Sequence, residues 1–134
     1  MSYLTLNRYH ATKHALEGWS DCLRLDVNQF NIKVVIIEPG AIGTEFEGVM
    51  SQPFLDRSKG SPYESNAIAF MNAGRDMIKY ASPPSVIANV VSLAVSVAKP
   101  RRRYVAGAFA SPMLFIRAWF GDGVMDTLLL SQLK

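Results

Sequence analysis

The chain has 134 residues, of which 49% are hydrophobic and 19% charged, which suits one folded domain and excludes a disordered chain. Its net charge is +3, and positive side chains cluster only at residues 99–104, KPRRRY. This run is too short to form a nucleic-acid-binding surface. The single cysteine, Cys22, excludes an intrachain disulfide and favours a reducing, cytoplasmic location. No run of about 18 apolar residues occurs, and the N-terminus lacks the pattern of a signal peptide.

The first predicted element is a long helix over residues 9–30, because its apolar residues recur at intervals of one, three and four positions. This face should be buried, with Cys22 as a small core residue. Leu25 lies off the face and suggests that a second side of the helix is also covered. Asn31 tolerates left-handed backbone and should end the helix. The face consists of Ala15, Leu16, Trp19, Cys22, Leu23, Val27 and Phe30.

The next predicted element is a strand at residues 34–37, a β-branched run that Pro39 and Gly40 end. The lack of polar alternation predicts burial on both faces, as in a central strand of a parallel sheet. A long helix that leads into a buried strand is typical of an α/β crossover unit.

The second half of the chain predicts three more helical segments and one more strand. Residues 45–62 carry scattered Gly and Pro and predict an irregular insertion. Residues 63–81 have helical spacing, and a further helix should begin with Ser82 as its N-cap. RYVAG, residues 103–107, predicts a short strand, and the tail at residues 111–133 is helical with an interruption at its Gly-Asp-Gly.

These elements predict an α/β fold that is rich in helix and has about two parallel strands. Two strands do not complete such a sheet, because a buried strand needs a neighbour on each edge to satisfy its backbone groups. The chain is therefore interpreted as a single, partial domain over residues 1–134.

Tyr9 and Lys13 are the first candidates for chemistry, because four residues of helix place both side chains on one face. An isolated tyrosine hydroxyl titrates near about pH 10, too high for efficient proton transfer at neutrality. A nearby cation stabilises the phenolate and lowers that pKa. From spacing alone, a partly buried tyrosine beside a surface lysine is the commoner interpretation.

The residues that follow strengthen the catalytic interpretation. The stretch YHATKHALEGWSDCLRLDVNQFNIKVVIIEPGAIGTEF resembles the short-chain dehydrogenase/reductase family almost position for position. The shared features are the Tyr-x-x-x-Lys of Tyr9 and Lys13 with the small Ala11, the LRLD segment, the buried strand and the PGxxxT turn. SPPSVIANVV and PRRRYVAG also resemble the family's last helix and last strand, so the resemblance covers about residues 8–110.

The resemblance implies the C-terminal part of a Rossmann-like, doubly wound parallel sheet that binds NAD or NADP. Tyr9 would be the general acid/base that exchanges a proton with the substrate hydroxyl or carbonyl. Lys13 would lower the pKa of the tyrosine and hydrogen-bond the nicotinamide ribose. No metal is expected.

The turn after the buried strand would hold the nicotinamide end of the cofactor. The backbone near Ile42 would meet the carboxamide, and the Thr44 hydroxyl would assist. This agrees with the general rule that ligands bind beyond the carboxyl ends of parallel strands. The turn residues concerned are Pro39, Gly40, Ile42 and Thr44.

Residues 45–81 would form a substrate lid inserted in this domain. Its large apolar residues would suit an apolar alcohol or carbonyl substrate, although ordinary core packing explains each of them equally well. By resemblance the protein would form a homo-oligomer or associate with a full-length relative, and no nucleic-acid or membrane contact is expected. The lid residues concerned are Phe46, Met50, Phe54, Phe70 and Met71.

The sequence departs from the family pattern in its first part. No Gly-x-x-x-Gly-x-Gly turn for the pyrophosphate occurs in the 134 residues. The family's catalytic serine lies further before the tyrosine than this chain extends, and Ser2 is too close to Tyr9 to be assigned that role. The chain is therefore expected to be the C-terminal half of such an enzyme and to be inactive by itself.

Two other functions stay open. A chain of this kind could be a non-catalytic interaction module that docks on a full-length relative through the first helix. Residues 113–120, MLFIRAWF, could attach to a membrane surface, although Arg117 interrupts them and a helix over the core is favoured. The substrate, the choice between NAD and NADP and the direction of reaction do not follow from the sequence.

Overall fold

A computed structural model describes residues 4–131 of the chain. Within that range five α-helices and a 3₁₀ turn accompany one two-stranded sheet. The elements are α1 (Leu4–Asp26), a 3₁₀ turn (Asn28–Phe30), β1 (Ile36–Pro39), α2 (Phe46–Ser58), α3 (Glu64–Ile78), α4 (Ser85–Ser96), β2 (Arg103–Ala106) and α5 (Ala110–Ser131).

The two strands lie side by side and parallel, with Ile36 opposite Arg103 and Pro39 opposite Ala106. The chain crosses from β1 to β2 through α2, α3 and α4, a long connection of the kind that a parallel pair requires. The predicted helix-rich α/β fold with two parallel strands, a partial Rossmann-like sheet, is therefore confirmed. Among the described residues, β1 has a neighbouring strand on one edge only.

The first strand is displaced from its predicted position, since β1 spans Ile36–Pro39 rather than residues 34–37. The prediction that residues 34–37 are buried on both faces is wrong, because these residues are only half-buried. The difference arises because neighbouring elements cover these residues only in part. One cavity separates them from α1 and another from α4, and Val35 and Ile37 line both cavities.

Most of the predicted apolar stripe of α1 is exposed and only Leu23 and Val27 are half-buried, which contradicts the predicted burial of that face. Trp19 is 60% exposed, and Cys22, predicted to be a core residue, is also exposed. The reason is that α1 contacts the sheet through polar side chains instead. Glu17 and Asp21 form ion pairs with Arg103 of β2, and Leu16 is the member of the stripe that borders the cavity between α1 and β1.

The end of α1 follows the prediction more closely. The helix stops at Asp26, the 3₁₀ turn follows, and Asn31 adopts left-handed backbone with φ of 58°. Leu25, which lies off the main apolar stripe, is also exposed. Both candidate apolar sides of this helix are therefore open in the described part of the chain.

Residues 45–62 are largely helical, which corrects the prediction of an irregular insertion. Helix α2 runs through Pro53, although a proline inside a helix removes one backbone hydrogen bond. Phe54, only 4% exposed, packs against Ala67 and Met71 of α3. This packing stabilises a helix that local sequence preference disfavours.

Helix α4 begins at Ser85, later than predicted, with Pro84 at the N-cap position and no side-chain cap. The prediction of Ser82 as the N-cap is therefore wrong. Ser82 makes backbone hydrogen bonds instead: its N–H donates to Ala41, and its carbonyl accepts from Gly43, both at 3.0 Å. These bonds tie the start of α4 to the turn after β1.

Helix α5 is interrupted at Gly121, with φ of 73° and ψ of −174°, as the Gly-Asp-Gly pattern predicts. Three of its aromatic side chains, Phe115, Trp119 and Phe120, are exposed, and Phe115 contacts each of the other two. Among the helices within residues 4–131, none has an apolar stretch of the length that a bilayer span requires. The last residues of the predicted helical tail lie outside the described range.

Candidate active site

The carboxyl ends of β1 and β2 meet at the Pro-Gly turn that follows β1. Gly40 N–H donates to the Ala106 carbonyl at 2.8 Å, which extends the parallel ladder by one step. Ala41 N–H then donates to the Ala108 carbonyl, also at 2.8 Å. Together with the two bonds to Ser82, these contacts hold the turn from both sides.

Ile42 is the turn residue whose backbone groups stay available. Its neighbours Ala41 and Gly43 are held by Ser82 and Ala108. Within residues 4–131, neither the N–H nor the C=O of Ile42 has a hydrogen-bond partner from the protein. The turn therefore offers one backbone donor and one acceptor at the end of the sheet.

Two glycines allow the turn to lie this close to the next loop. A Cβ on Gly40 would stand 2.1 Å from the Ala108 carbonyl oxygen. Gly107 has φ of 95°, and a Cβ there would stand 2.7 Å from the Ile42 side chain. The close approach of the two loops thus depends on the missing side chains.

Tyr9 and Lys13 lie together on one face of α1, as their spacing predicts. The Lys13 Nζ atom lies over the tyrosine ring, 5.3 Å from its centroid. Phe46, the first residue of α2, contacts the same tyrosine ring with a centroid distance of 6.1 Å. The lysine and the phenylalanine therefore both border the phenol.

A cavity of about 520 Å³ lies between α1 and β1 and brings these residues together with the end of the strand. Its α1 side carries the tyrosine and the lysine, and its β1 side reaches the proline that begins the turn. The residues that line it are Tyr9, Lys13, Leu16, Glu17, Ser20, Val35, Ile36, Ile37, Glu38 and Pro39.

Arg103, on β2, forms ion pairs with carboxylates of both α1 and β1. Its Nη1 donates to Glu38 Oε1 at 2.5 Å and to Glu17 Oε2 at 3.1 Å, while its Nη2 donates to Asp21 Oδ2 at 2.7 Å. The hydrogen bond to Glu38, followed by those to Asp21 and Glu17, raises the pKa of Arg103. The hydrogen bond from Arg103 also holds the pKa of Asp21 below its usual value of 3.8, with Arg24 adding to the effect.

This charge network is the part of the site that sequence reasoning missed. A signal was present, because Tyr9, Lys13, Glu17 and Asp21 follow one another at intervals of four along a helix. The partner, Arg103, lies far along the chain, and no local pattern connects it to α1.

Of the five predicted lid residues, Phe46 contacts Tyr9. The other four pack among themselves as the core of the α2–α3 hairpin: Phe54 and Met71 are buried, with Met50 and Phe70 against them.

Thr44 lies at the start of α2, where its Oγ1 accepts a hydrogen bond from the Phe46 N–H at 3.4 Å. It therefore lies directly beside the turn. Ser2, which the sequence did not support as a catalytic residue, lies outside the described residues.

Comparison with known families agrees with this architecture. The family described as short chain dehydrogenase matches residues 1–53, a range that contains the Tyr9–Lys13 pair and the turn. Curated oxidoreductases match over most of the chain. These matches support membership of the short-chain dehydrogenase/reductase family. No solved structure matches it.

Three relatives illustrate the similarity. The uncharacterized oxidoreductase YbbO of Escherichia coli is 31% identical over 90% of this chain and 40% of its own length. The NADPH-dependent 3-dehydrocapnine reductase of Ornithobacterium rhinotracheale is 30% identical over 96% of this chain and 45% of its own. Retinol dehydrogenase 8 of Bos taurus is 27% identical over 86% of this chain and 38% of its own. The chain thus spans less than half the length of these relatives.

Proposed function

We propose that this chain carries the proton-transfer residues and the nicotinamide-side turn of an NAD(P)-dependent oxidoreductase that interconverts an alcohol and a carbonyl. The supporting observation is the pairing of Tyr9 and Lys13 in a cavity that extends to Pro39. A tyrosine hydroxyl both donates and accepts, so it gives a proton to a carbonyl oxygen or takes one from an alcohol. The Lys13 ammonium lies over the ring of this tyrosine, 5.3 Å from its centroid, and so places a cation beside the phenol.

The turn after β1 has the groups that a nicotinamide carboxamide needs. A carboxamide has an acceptor oxygen and an NH₂ donor, which match the unpartnered N–H and C=O of Ile42. The Thr44 hydroxyl accepts from Phe46 and keeps its own proton to donate. Bound at this turn, the cofactor would supply or accept the hydride, and the protein would supply position and proton transfer.

We propose an apolar substrate. Phe46 borders the tyrosine that would meet the reacting oxygen, and the α2–α3 hairpin behind it has an apolar core. Two of the relatives are named as a 3-dehydrocapnine reductase and a retinol dehydrogenase. The hairpin would then act as the lid at residues 45–81, with Phe46 as its contact with the substrate.

We also propose that the 134-residue polypeptide has no dehydrogenase activity by itself. Its sequence contains no glycine-rich pyrophosphate turn, and no serine in it is assigned to the substrate oxygen. A tyrosine without an oriented cofactor has no hydride to work with. A cytoplasmic location is proposed from the single cysteine.

A chimeric enzyme tests these proposals. The part of the E. coli relative that precedes its matched segment is joined to this chain, and reduction of all-trans-retinal is measured with NADH and NADPH. We expect activity from the chimeric enzyme, little activity from its Tyr9→Phe variant and none from the 134-residue polypeptide. Activity in the polypeptide, or a chimeric enzyme that binds NADPH but reduces no aldehyde or ketone, would contradict the proposal.

A second candidate function is a non-catalytic interaction module. The observation that favours it is the exposure of apolar residues on α1, where Leu16, Trp19 and Leu25 are all open. A full-length relative would cover this face. Native mass spectrometry of the chain mixed with the full-length E. coli relative tests it, and the absence of a complex would exclude that partner.

A further inference from the structure

Lys13 lies between two possible partners on α1. Tyr9 is one helical turn before it, and Glu17 is one turn after it. Lysine and glutamate four residues apart attract each other on a helix surface. An ion pair with Glu17 would therefore draw the ammonium along the helix and away from the phenol.

The structure has the opposite arrangement. The Glu17 carboxylate accepts a hydrogen bond from Arg103, and the Lys13 Nζ lies over the Tyr9 ring. Within the described residues, Lys13 forms no ion pair. The charge that would compete for the lysine is thus bound by a residue of β2.

We propose that Arg103 is a positioning residue, which holds Glu17 away from Lys13 and so keeps the ammonium beside Tyr9. The importance of this for catalysis rests on the function proposed above. Arginine suits the task because its planar guanidinium donates several hydrogen bonds in fixed directions. Here it reaches Glu17 and Asp21 on α1 and Glu38 on β1 at once.

Glu17 is the competitor that matters among the three carboxylates. Asp21 is two helical turns beyond Lys13, about 12 Å along the helix axis, and Arg24 is a second partner for it. Glu38 borders the same cavity, but it belongs to β1 and is the least exposed of the three. Glu17 alone is both one turn from the lysine and on the same helix face.

The proposal is tested by nuclear magnetic resonance of the intact chain, through the Cε protons of Lys13. A position over an aromatic ring shifts such protons upfield, and a Tyr9→Ala variant identifies the shift. We expect Arg103→Gln to remove the upfield shift, because the released Glu17 captures the lysine. Adding Glu17→Gln should restore the shift, whereas adding Asp21→Asn, the matched control, should not.

Two results would overturn the proposal: an upfield shift that survives Arg103→Gln, or a loss that Glu17→Gln fails to restore. The second result would mean that Arg103 supports the fold in general. If Arg103→Gln unfolds the protein, Arg103→Lys carries the same test, since one ammonium cannot replace the three hydrogen bonds. The measurement needs no cofactor or turnover, so its failure is distinct from an inactive Tyr9 in the chimeric enzyme.

Discussion

The rings of Phe46 and Tyr9 lie against each other, with centroids 6.1 Å apart and planes inclined by 38°. The contact joins the first residue of α2 to the residue proposed for proton transfer. Through this contact the proposed lid touches the proposed acid/base residue. The identity of residue 46 should therefore affect how a substrate sits beside the phenol.

Phe46→Ala should weaken the binding of apolar carbonyl substrates by the chimeric enzyme. Loss of the ring removes an apolar wall beside Tyr9, and we expect KM for all-trans-retinal to rise about tenfold or more. Steady-state kinetics with retinal and with a small polar aldehyde provide the measurement. Val49→Ala, on an exposed position of the same helix, is the control and should leave both values unchanged. Equal KM changes for both aldehydes would argue against a specificity role.

Tyr9→Phe should remove activity without removing structure. The variant keeps the ring that Lys13 and Phe46 contact and loses only the hydroxyl. We expect kcat of the chimeric enzyme to fall by about 10²–10⁴, the usual contribution of a positioned acid/base group. Thermal unfolding followed by circular dichroism should show an unchanged midpoint. A variant with near-normal kcat would assign the proton transfer to another residue.

The sequence predicted the parts of the site that depend on local spacing. The Tyr9–Lys13 pair follows from helical geometry, and the turn at Gly40 follows from a β-branched run that a Pro-Gly ends. The exposure of Cys22 could not be predicted, because it depends on which side of α1 meets the sheet. Hydrogen bonds from Arg103 to Glu17 and Asp21 hold the polar side of α1 against the sheet. Because Arg103 lies far along the chain, the periodicity of α1 does not predict these contacts.

Helix α2 was mispredicted for a related reason. Local preference at Pro53 disfavours a helix. Burial of Phe54 against α3 outweighs that preference, and it depends on residues that the local pattern does not contain.

Gly40→Ala should destabilise the protein and disturb the turn. The added Cβ would meet the Ala108 carbonyl oxygen at 2.1 Å and the Ala110 side chain at 2.9 Å, so one loop must move. We expect a loss of about 1–3 kcal/mol in the free energy of unfolding, as in other overpacked sites. Urea denaturation gives this quantity. Gly74→Ala is the matched control: its Cβ has open space in α3, and the protein should gain about 0.5–1 kcal/mol.

Phe54→Ala should remove much of the apolar contact between α2 and α3 and so destabilise the hairpin that they form. The side chain is 4% exposed and packs on Ala67, Met71 and the ring of Phe70. Truncation of a buried phenylalanine costs about 3–5 kcal/mol through lost burial and the cavity that remains. Amide hydrogen exchange should show faster exchange in α2 and α3. Val49→Ala should change stability by less than about 0.5 kcal/mol, and protection that survives Phe54→Ala would mean that other contacts hold the hairpin.

The interaction between Asp21 and Arg103 should disappear in acid. The hydrogen bond from Arg103 lowers the pKa of Asp21 in the folded protein below its value of 3.8 in an unfolded chain. Such a group stabilises the fold at every pH above the unfolded value, and this contribution is lost as the pH falls through the folded value. A double-mutant cycle with Asp21→Asn and Arg103→Gln, measured by thermal unfolding, isolates the pair. We expect a coupling near pH 7 that vanishes well below pH 3.8, and a coupling that persists there would show that the contact does not depend on the charge of Asp21.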